Sequence, residues 1–241
     1  LIDILNKSIK TTTSLDEDIL TINIEEHTLY FDNTNEFNEQ FISHVKRGNG
    51  FKDKEVKEPS TTRALYNLSK KYSINKAYDI GCQNLYTTLQ LSKLFNCDVI
   101  GFDIDKEAID AGLLNYELNK DLNISVIEKG VGSKEKGNVS LNELEGADLV
   151  FIDIEGYQFY VFDEGLEFIE KHRPIIVYET DSKNASLFVK PDKSILKPLT
   201  DMNYSFFYCD DHRKNKKFRP IECNNIPEQD GLLVIIPKEK I

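Results

Sequence analysis

The stretch Ala77-Tyr78-Asp79-Ile80-Gly81, continued by Cys82-Gln83-Asn84-Leu85 and then by Tyr86-Thr87-Thr88-Leu89-Gln90-Leu91-Ser92, decides the fold of this chain. An apolar run ends at a glycine and gives way, after a short turn, to a segment of helical spacing, so it reads as strand, tight turn, helix. A second apolar run, Val99-Ile100-Gly101-Phe102, ends in Asp103, with Asp105 close behind. An acid therefore falls roughly twenty residues after the glycine turn, as in a nucleotide-binding α/β crossover. There the turn and the helix N-terminus approach the ligand, and the acid accepts hydrogen bonds from ribose hydroxyls.

The turn Gly81-Cys82-Gln83-Asn84-Leu85-Tyr86 holds a single glycine. A dinucleotide fingerprint needs glycines at its first, third and sixth positions so that backbone N–H groups can reach a pyrophosphate. NAD and FAD are therefore disfavoured. A cofactor with a ribose and no phosphate, S-adenosylmethionine above all, asks less of the turn.

With 241 residues, 40% hydrophobic and 29% charged, the chain has ample material for one large α/β domain with an N-terminal extension. No apolar stretch reaches the roughly 18 residues of a membrane span, and Leu1-Ile2-Asp3-Ile4 does not resemble a signal peptide. A soluble, cytoplasmic protein without membrane partners is expected, and a start at Leu1 fits a piece cut from a longer chain. The net charge of −11 opposes binding to a phosphate backbone, so nucleic acid is not expected as a partner. The basic run His212-Arg213-Lys214-Asn215-Lys216-Lys217-Phe218-Arg219 is the exception, as a solvated loop or as a receiver of an anionic group. Cys82, Cys97, Cys209 and Cys223 have neither zinc nor disulfide spacing, so no metal site is assigned.

Residues 1–58 lack the strand–helix alternation of the rest and read as an extension or lid, with a hairpin formed by Ile19 to Ile24 and Thr28 to Phe31. Phe37, Phe41, Ile42 and Val45 carry helical spacing that ends at Gly48-Asn49-Gly50, and Lys52 to Glu58, closed by Pro59, reads as a connector. The lid is expected to pack over the substrate rim. Within 59–241 the pattern gives a helix from Arg63 to Tyr72, then strands over 76–81, 98–103, 124–128, 147–153, 174–179, 204–209 and 231–236. Helices are expected over 85–95, 106–119, 157–171 and 192–202. This is a mostly parallel, seven-stranded α/β sheet with helices on both faces, and its last two strands are joined by a loop.

Ligands of such sheets bind beyond the C-terminal strand ends. Asp79, Gly81, Asp103, Asp105, Glu128, Asp153, Glu155, Glu179 and Asp181 crowd that rim. Several acids at the ends of apolar strands must each be solvated, paired or bound to a ligand.

In order and spacing, Tyr78-Asp79-Ile80-Gly81, Phe102-Asp103, Leu149-Val150-Phe151-Ile152-Asp153-Ile154-Glu155-Gly156 and Pro174-Ile175-Ile176-Val177-Tyr178-Glu179 resemble the FkbM family of S-adenosylmethionine-dependent methyltransferases. The resemblance covers about residues 60–180 and rests most on the Asp-x-Glu-Gly element. It implies a Rossmann-like class I methyltransferase fold and O-methylation of a sugar, glycan or other hydroxylated small molecule. By that match Asp79 and Gly81 line the methionine side of the cofactor, Asp103 with its neighbour Ile104 holds the ribose, and Asp153 and Glu155 face the methyl group. Family members commonly continue the turn as Ala-Asn-x-Gly, where this chain has Cys82-Gln83-Asn84-Leu85. A positive φ at Leu85 would cost about 1–2 kcal/mol.

A base within reach of the acceptor hydroxyl is what methyl transfer requires, and Asp153, Glu155 and His212 are the candidates. Glu155 has an alternative as a helix cap. His212 follows the strand 204–209 beside Asp210 and Asp211, on the substrate rim, whereas His27, His44 and His172 read as structural or exposed. Two rivals stand beside the enzyme: a degenerate domain serving as a binding or assembly module inside a larger biosynthetic protein, and a metal-assisted transferase with Mg²⁺ on Asp103, Asp153 or Glu179. A homo-oligomer, or a place within a larger chain, stands open for the protein.

Overall fold

The computed structural model describes residues 1–47, 56–134, 138–154, 156–180 and 192–241. The expected helix stop at Gly48-Asn49-Gly50 and most of the Lys52 to Glu58 connector lie outside them.

The chain opens with a short helix α1 (Ile2–Leu5) and three strands, β1 (Thr11–Asp16), β2 (Ile19–Ile24) and β3 (His27–Asp32), then helix α2 (Glu36–Arg47). The strands form a separate antiparallel sheet in the order β1-β2-β3. The expected hairpin is present as β2 and β3, and β1 is an addition to it. Next come α3 (Pro59–Ser69), β4 (Lys76–Ile80), α4 (Tyr86–Phe95), β5 (Asp98–Asp103), α5 (Lys106–Glu117), β6 (Ile124–Glu128) and β7 (Leu149–Ile152). They are followed by α6 (Gln158–Asp163), α7 (Leu166–His172), β8 (Ile175–Thr180), α8 (Asp192–Ile195), α9 (Lys197–Asp201), β9 (Tyr204–Asp210), β10 (Arg219–Ile221) and β11 (Gly231–Pro237).

Among the described residues the main sheet has eight strands in the order β10-β9-β11-β8-β7-β4-β5-β6, one more than expected. The addition is β10, three residues long and antiparallel to the middle of β9. With so few residues and Pro220 in its middle it leaves almost no periodicity to read, and an edge is where a strand tolerates proline. Strands β4 to β8 pair in parallel, and β11 lies antiparallel between β8 and β9.

Three helix boundaries differ from expectation. Helix α3 begins at Pro59, where a proline has no N–H to lose, and the prolyl residue starts the helix instead of closing a connector. The segment 157–171 is broken into α6 and α7 around Gly165. The segment 192–202 is likewise divided, with Pro198 in the first turn of α9.

Side-chain alternation along the strands splits the core in two. Ala77, Val99, Leu149, Phe151, Ile175 and Val177 face one side, with α3, α4 and the small sheet. Tyr78, Ile80, Phe102, Val150, Ile152 and Tyr178 face the other, with α6, α7 and α9. By this parity Asp79, Asp153 and Glu179 all belong to the first side.

The N-terminal segment adds a layer outside the helices instead of standing wholly over the rim. Leu5, Leu20, Ile22, Ile24, Leu29 and Phe31 are buried in the same cluster as Leu89 and Leu149. The free edge of β3 is covered by two asparagines of the α5 region. Asn119 Nδ2 donates to the Tyr30 carbonyl at 2.6 Å, and the Asp32 N–H donates to Asn115 Oδ1 at 2.8 Å. Such side-chain pairing blunts an edge that would otherwise pair with another chain.

Candidate active site

The order of strands reverses between β4 and β7, and a cavity of about 550 Å³ opens at their C-terminal ends. Gly81, Gln83, Asp103, Ile104, Asp153 and Tyr157 line it, with Phe37 of α2 reaching in from the extension. Its size falls within the range of small-molecule sites.

Gly81 is fixed by space and by conformation. Its φ is +91°, and an added Cβ would lie 1.8 Å from the Asp153 carbonyl oxygen. The turn then passes through Gln83 at φ +42° and Leu85 at φ +63°. The left-handed conformation feared at Leu85 is therefore adopted, and its cost of about 1–2 kcal/mol is offset by complete burial of the leucine side chain. Gly112 in α5 makes room, since a Cβ there would stand 2.6 Å from Leu85 Cγ.

Asp103 ties the two crossover loops together. Its Oδ2 accepts from the Gln83 N–H at 2.8 Å and its Oδ1 from the Asp105 N–H at 2.9 Å. Asp105 in turn caps α5, accepting from the N–H groups of Glu107 and Ala108. Each Asp103 oxygen accepts one such bond and keeps capacity for another, and the residue lines the cavity.

Asp79 sits beneath this turn and not among the residues lining the cavity. Its side chain is fully buried, Thr88 Oγ1 donates to Oδ2 at 2.5 Å, and Oδ1 has no partner. Burial pushes its carboxyl up to about 7, against the pull of Thr88.

Asp153 joins the cavity to a second group of charges. The pair Ile152 and Tyr178 stand opposite each other in the parallel register, so one step further Asp153 stands beside Glu179. Burial, then the Glu179 and Glu58 carboxylates, push its carboxyl well above the usual range. Glu179 Oε1 accepts from Arg213 Nη2 at 2.5 Å, and His212 Nε2 lies 3.2 Å from Oε2. Lys57 Nζ stands 3.2 Å from Glu58 Oε1 and 5.2 Å from the Phe41 ring centre. Burial works to lower the Lys57 ammonium, but Glu58, Asp153 and Glu179 outweigh it and raise it.

Among the predicted residues, Gly81, Asp103, Ile104 and Asp153 thus meet at the cavity, and His212 lies behind Asp153 through Glu179. Glu155 and Asp181 lie outside the described residues. Lys57 and Glu58 were not anticipated as site residues. Within a charged stretch they look like any solvated connector, and only their landing on Phe41 and His212 distinguishes them.

No family model matches the sequence, and no curated protein is similar to it. Solved structures are similar in fold. Cofactor-bound Rv0187 from MTB is 12% identical, with 86% of this chain and 93% of that chain covered and a TM-score of 0.50. A protein described as a putative O-methyltransferase from Klebsiella pneumoniae is 11% identical, with 83% and 88% covered and a TM-score of 0.50. A structure described as an rRNA methylase from Streptococcus thermophilus is 12% identical, with 76% and 97% covered and a TM-score of 0.49. The chain has the Rossmann-like methyltransferase fold, a mostly parallel central sheet with flanking helices. Among the described residues no helix is long and apolar enough to cross a membrane.

Proposed function

We propose that this chain transfers a methyl group from S-adenosylmethionine to a hydroxyl of a sugar, glycan or other small metabolite. The observation that carries the proposal is the cavity at the strand-order reversal, cradled by Gly81 and walled by Asp103, Asp105 and Asp153. The donor set fits that cofactor. Its carboxylates suit a cationic, ribose-bearing ligand and repel a phosphate, and the lone pairs of Asp103 suit ribose hydroxyls. When bound, the cofactor supplies an activated methyl group.

The chain's own residues would do the rest. Gly81 allows close backbone approach, and the aromatic rings of Phe37 and Tyr157, which line the cavity, would help exclude water. Asp153, with its carboxyl raised well above the usual range, is placed to receive the proton of an acceptor hydroxyl. The FkbM-like elements support the hydroxyl acceptor, and Phe37 supports a share for residues 1–58 in the acceptor pocket, with 59–241 as the catalytic unit.

Calorimetry with S-adenosylhomocysteine, followed by transfer of labelled methyl from S-adenosylmethionine to sugars and to RNA, tests the proposal. Binding and label on a hydroxylated small molecule are expected. Absence of binding would leave the domain a binding or assembly module, and label on RNA alone would reassign the acceptor.

A further inference from the structure

We infer that Glu58, Glu179 and His212 form a binding site for one divalent first-row cation of the Mn²⁺ or Zn²⁺ type, beside the cavity. One ligand atom from each of the three lies within 4.8 Å of the others, and all three side chains are buried. They come from the residue before α3, the end of β8 and the loop after β9.

The histidine is the independent sign of an occupant. His212 is fully buried, yet neither ring nitrogen has a hydrogen-bond partner. An imidazole without water or partner is costly unless something else takes its lone pair. Its Nε2 and Glu179 Oε2 are 3.2 Å apart without hydrogen-bond geometry. Two ligand atoms bound at about 2.0–2.1 Å to one tetrahedral ion stand about 3.3 Å apart, so this separation already suits a shared ion.

The surroundings orient the ligands and leave a charge to be met. Arg213 holds the outer oxygen of Glu179, and Lys57 holds Glu58. The His212 main-chain carbonyl accepts from the Ser60 N–H at 3.2 Å, which pins the imidazole loop to α3. Such outer contacts fix ligand geometry around metal ions. Glu58, Glu179 and Asp230 are three carboxylates against the two cations Lys57 and Arg213, with Asp153 beside them, so a cation is electrostatically favoured there. Mixed imidazole and carboxylate ligands suit Zn²⁺ and Mn²⁺ better than Ca²⁺.

No compact spacing announces this site, because its ligands are far apart in the chain. The inference stands apart from the proposed methyl transfer, since cation binding is measured without cofactor or acceptor. The full chain, stripped with chelator and dialysed, is titrated with MnCl₂ or ZnCl₂ by calorimetry, and the Mn²⁺-loaded protein is examined by pulsed EPR. One ion per chain and a nitrogen coupling from a single imidazole are expected. His212→Gln should abolish that coupling, and Glu58→Gln should weaken binding by about tenfold or more, with melting curves confirming that both variants fold. If neither variant folds, the nitrogen coupling of the unaltered chain decides. No binding at millimolar metal, binding without nitrogen coupling, or unchanged affinity in folded variants would overturn the site.

Discussion

The carbonyl oxygen of Asp153 occupies the space that a side chain on Gly81 would need, so the turn after β4 and the end of β7 close against each other at backbone distance. The Asp153 N–H also donates to the Ile80 carbonyl at 2.9 Å, which locks the two strand ends in register. Gly81→Ala should therefore destabilise the chain by more than about 2 kcal/mol and remove binding of S-adenosylhomocysteine. Thermal melts and calorimetry check this, and an unchanged melting temperature would contradict the close approach.

Asp103 has two duties, holding the turn through the Gln83 N–H and facing the cavity. Asp103→Ala should weaken S-adenosylhomocysteine at least several-fold and cost about 0.5–1.5 kcal/mol of stability through the two exposed hydrogen bonds lost. Calorimetry measures the first and denaturant unfolding the second. Full affinity in a folded variant would remove Asp103 from the ribose.

Asp79 predicts a pH dependence of stability. Its carboxyl is raised from 3.8 to about 7 in the folded chain, so between these values the folded state keeps a proton that the unfolded state has released. Stability from this residue is fully present below about pH 4, falls as the pH rises to about 7 and is flat above, by on the order of 4 kcal/mol in all. Asp79→Asn, neutral throughout, should lack that decline and be the more stable protein at pH 8. Parallel unfolding curves for the two proteins from pH 4 to pH 8 would exclude the buried acid as the cause.

The N-terminal layer is tied to the glycine turn through a buried asparagine cluster. Asn115 donates to the Asn84 carbonyl at 2.8 Å and to Asn38 Oδ1 at 3.2 Å, while Asn84 donates to the same Asn38 oxygen at 3.1 Å. Asn115→Ala leaves the Asn84 carbonyl and the Asp32 N–H without these partners, so a loss of about 2–4 kcal/mol is expected, with weaker cofactor binding. Deleting residues 1–58 is the poorer experiment, because Leu20, Ile22, Leu29 and Phe31 share one core with α4. If unfolding and cofactor titrations of Asn115→Ala match those of the unaltered chain, the extension and the turn are independent.

The sequence by itself determined the α/β alternation, the glycine turn after β4 and the acid after β5, because these are properties of short stretches. An apolar run, a turn residue and a helical period are each visible within about ten residues. It also placed Asp153 and Glu179 at strand ends on one rim. Only the tertiary structure decided what those residues touch. Asp79 is one residue before Ile80, yet strand parity turns it under α4 toward Thr88 while Ile80 meets the cavity. Glu58, a connector residue in the sequence, reaches His212, more than half the chain away, because α3 begins at Pro59 beneath the loop after β9. The edge of β3 needed Asn115 and Asn119, whose sequence context is merely a polar helix end. Periodicity fixes which face a residue takes within its own element, and packing between elements fixes which faces meet.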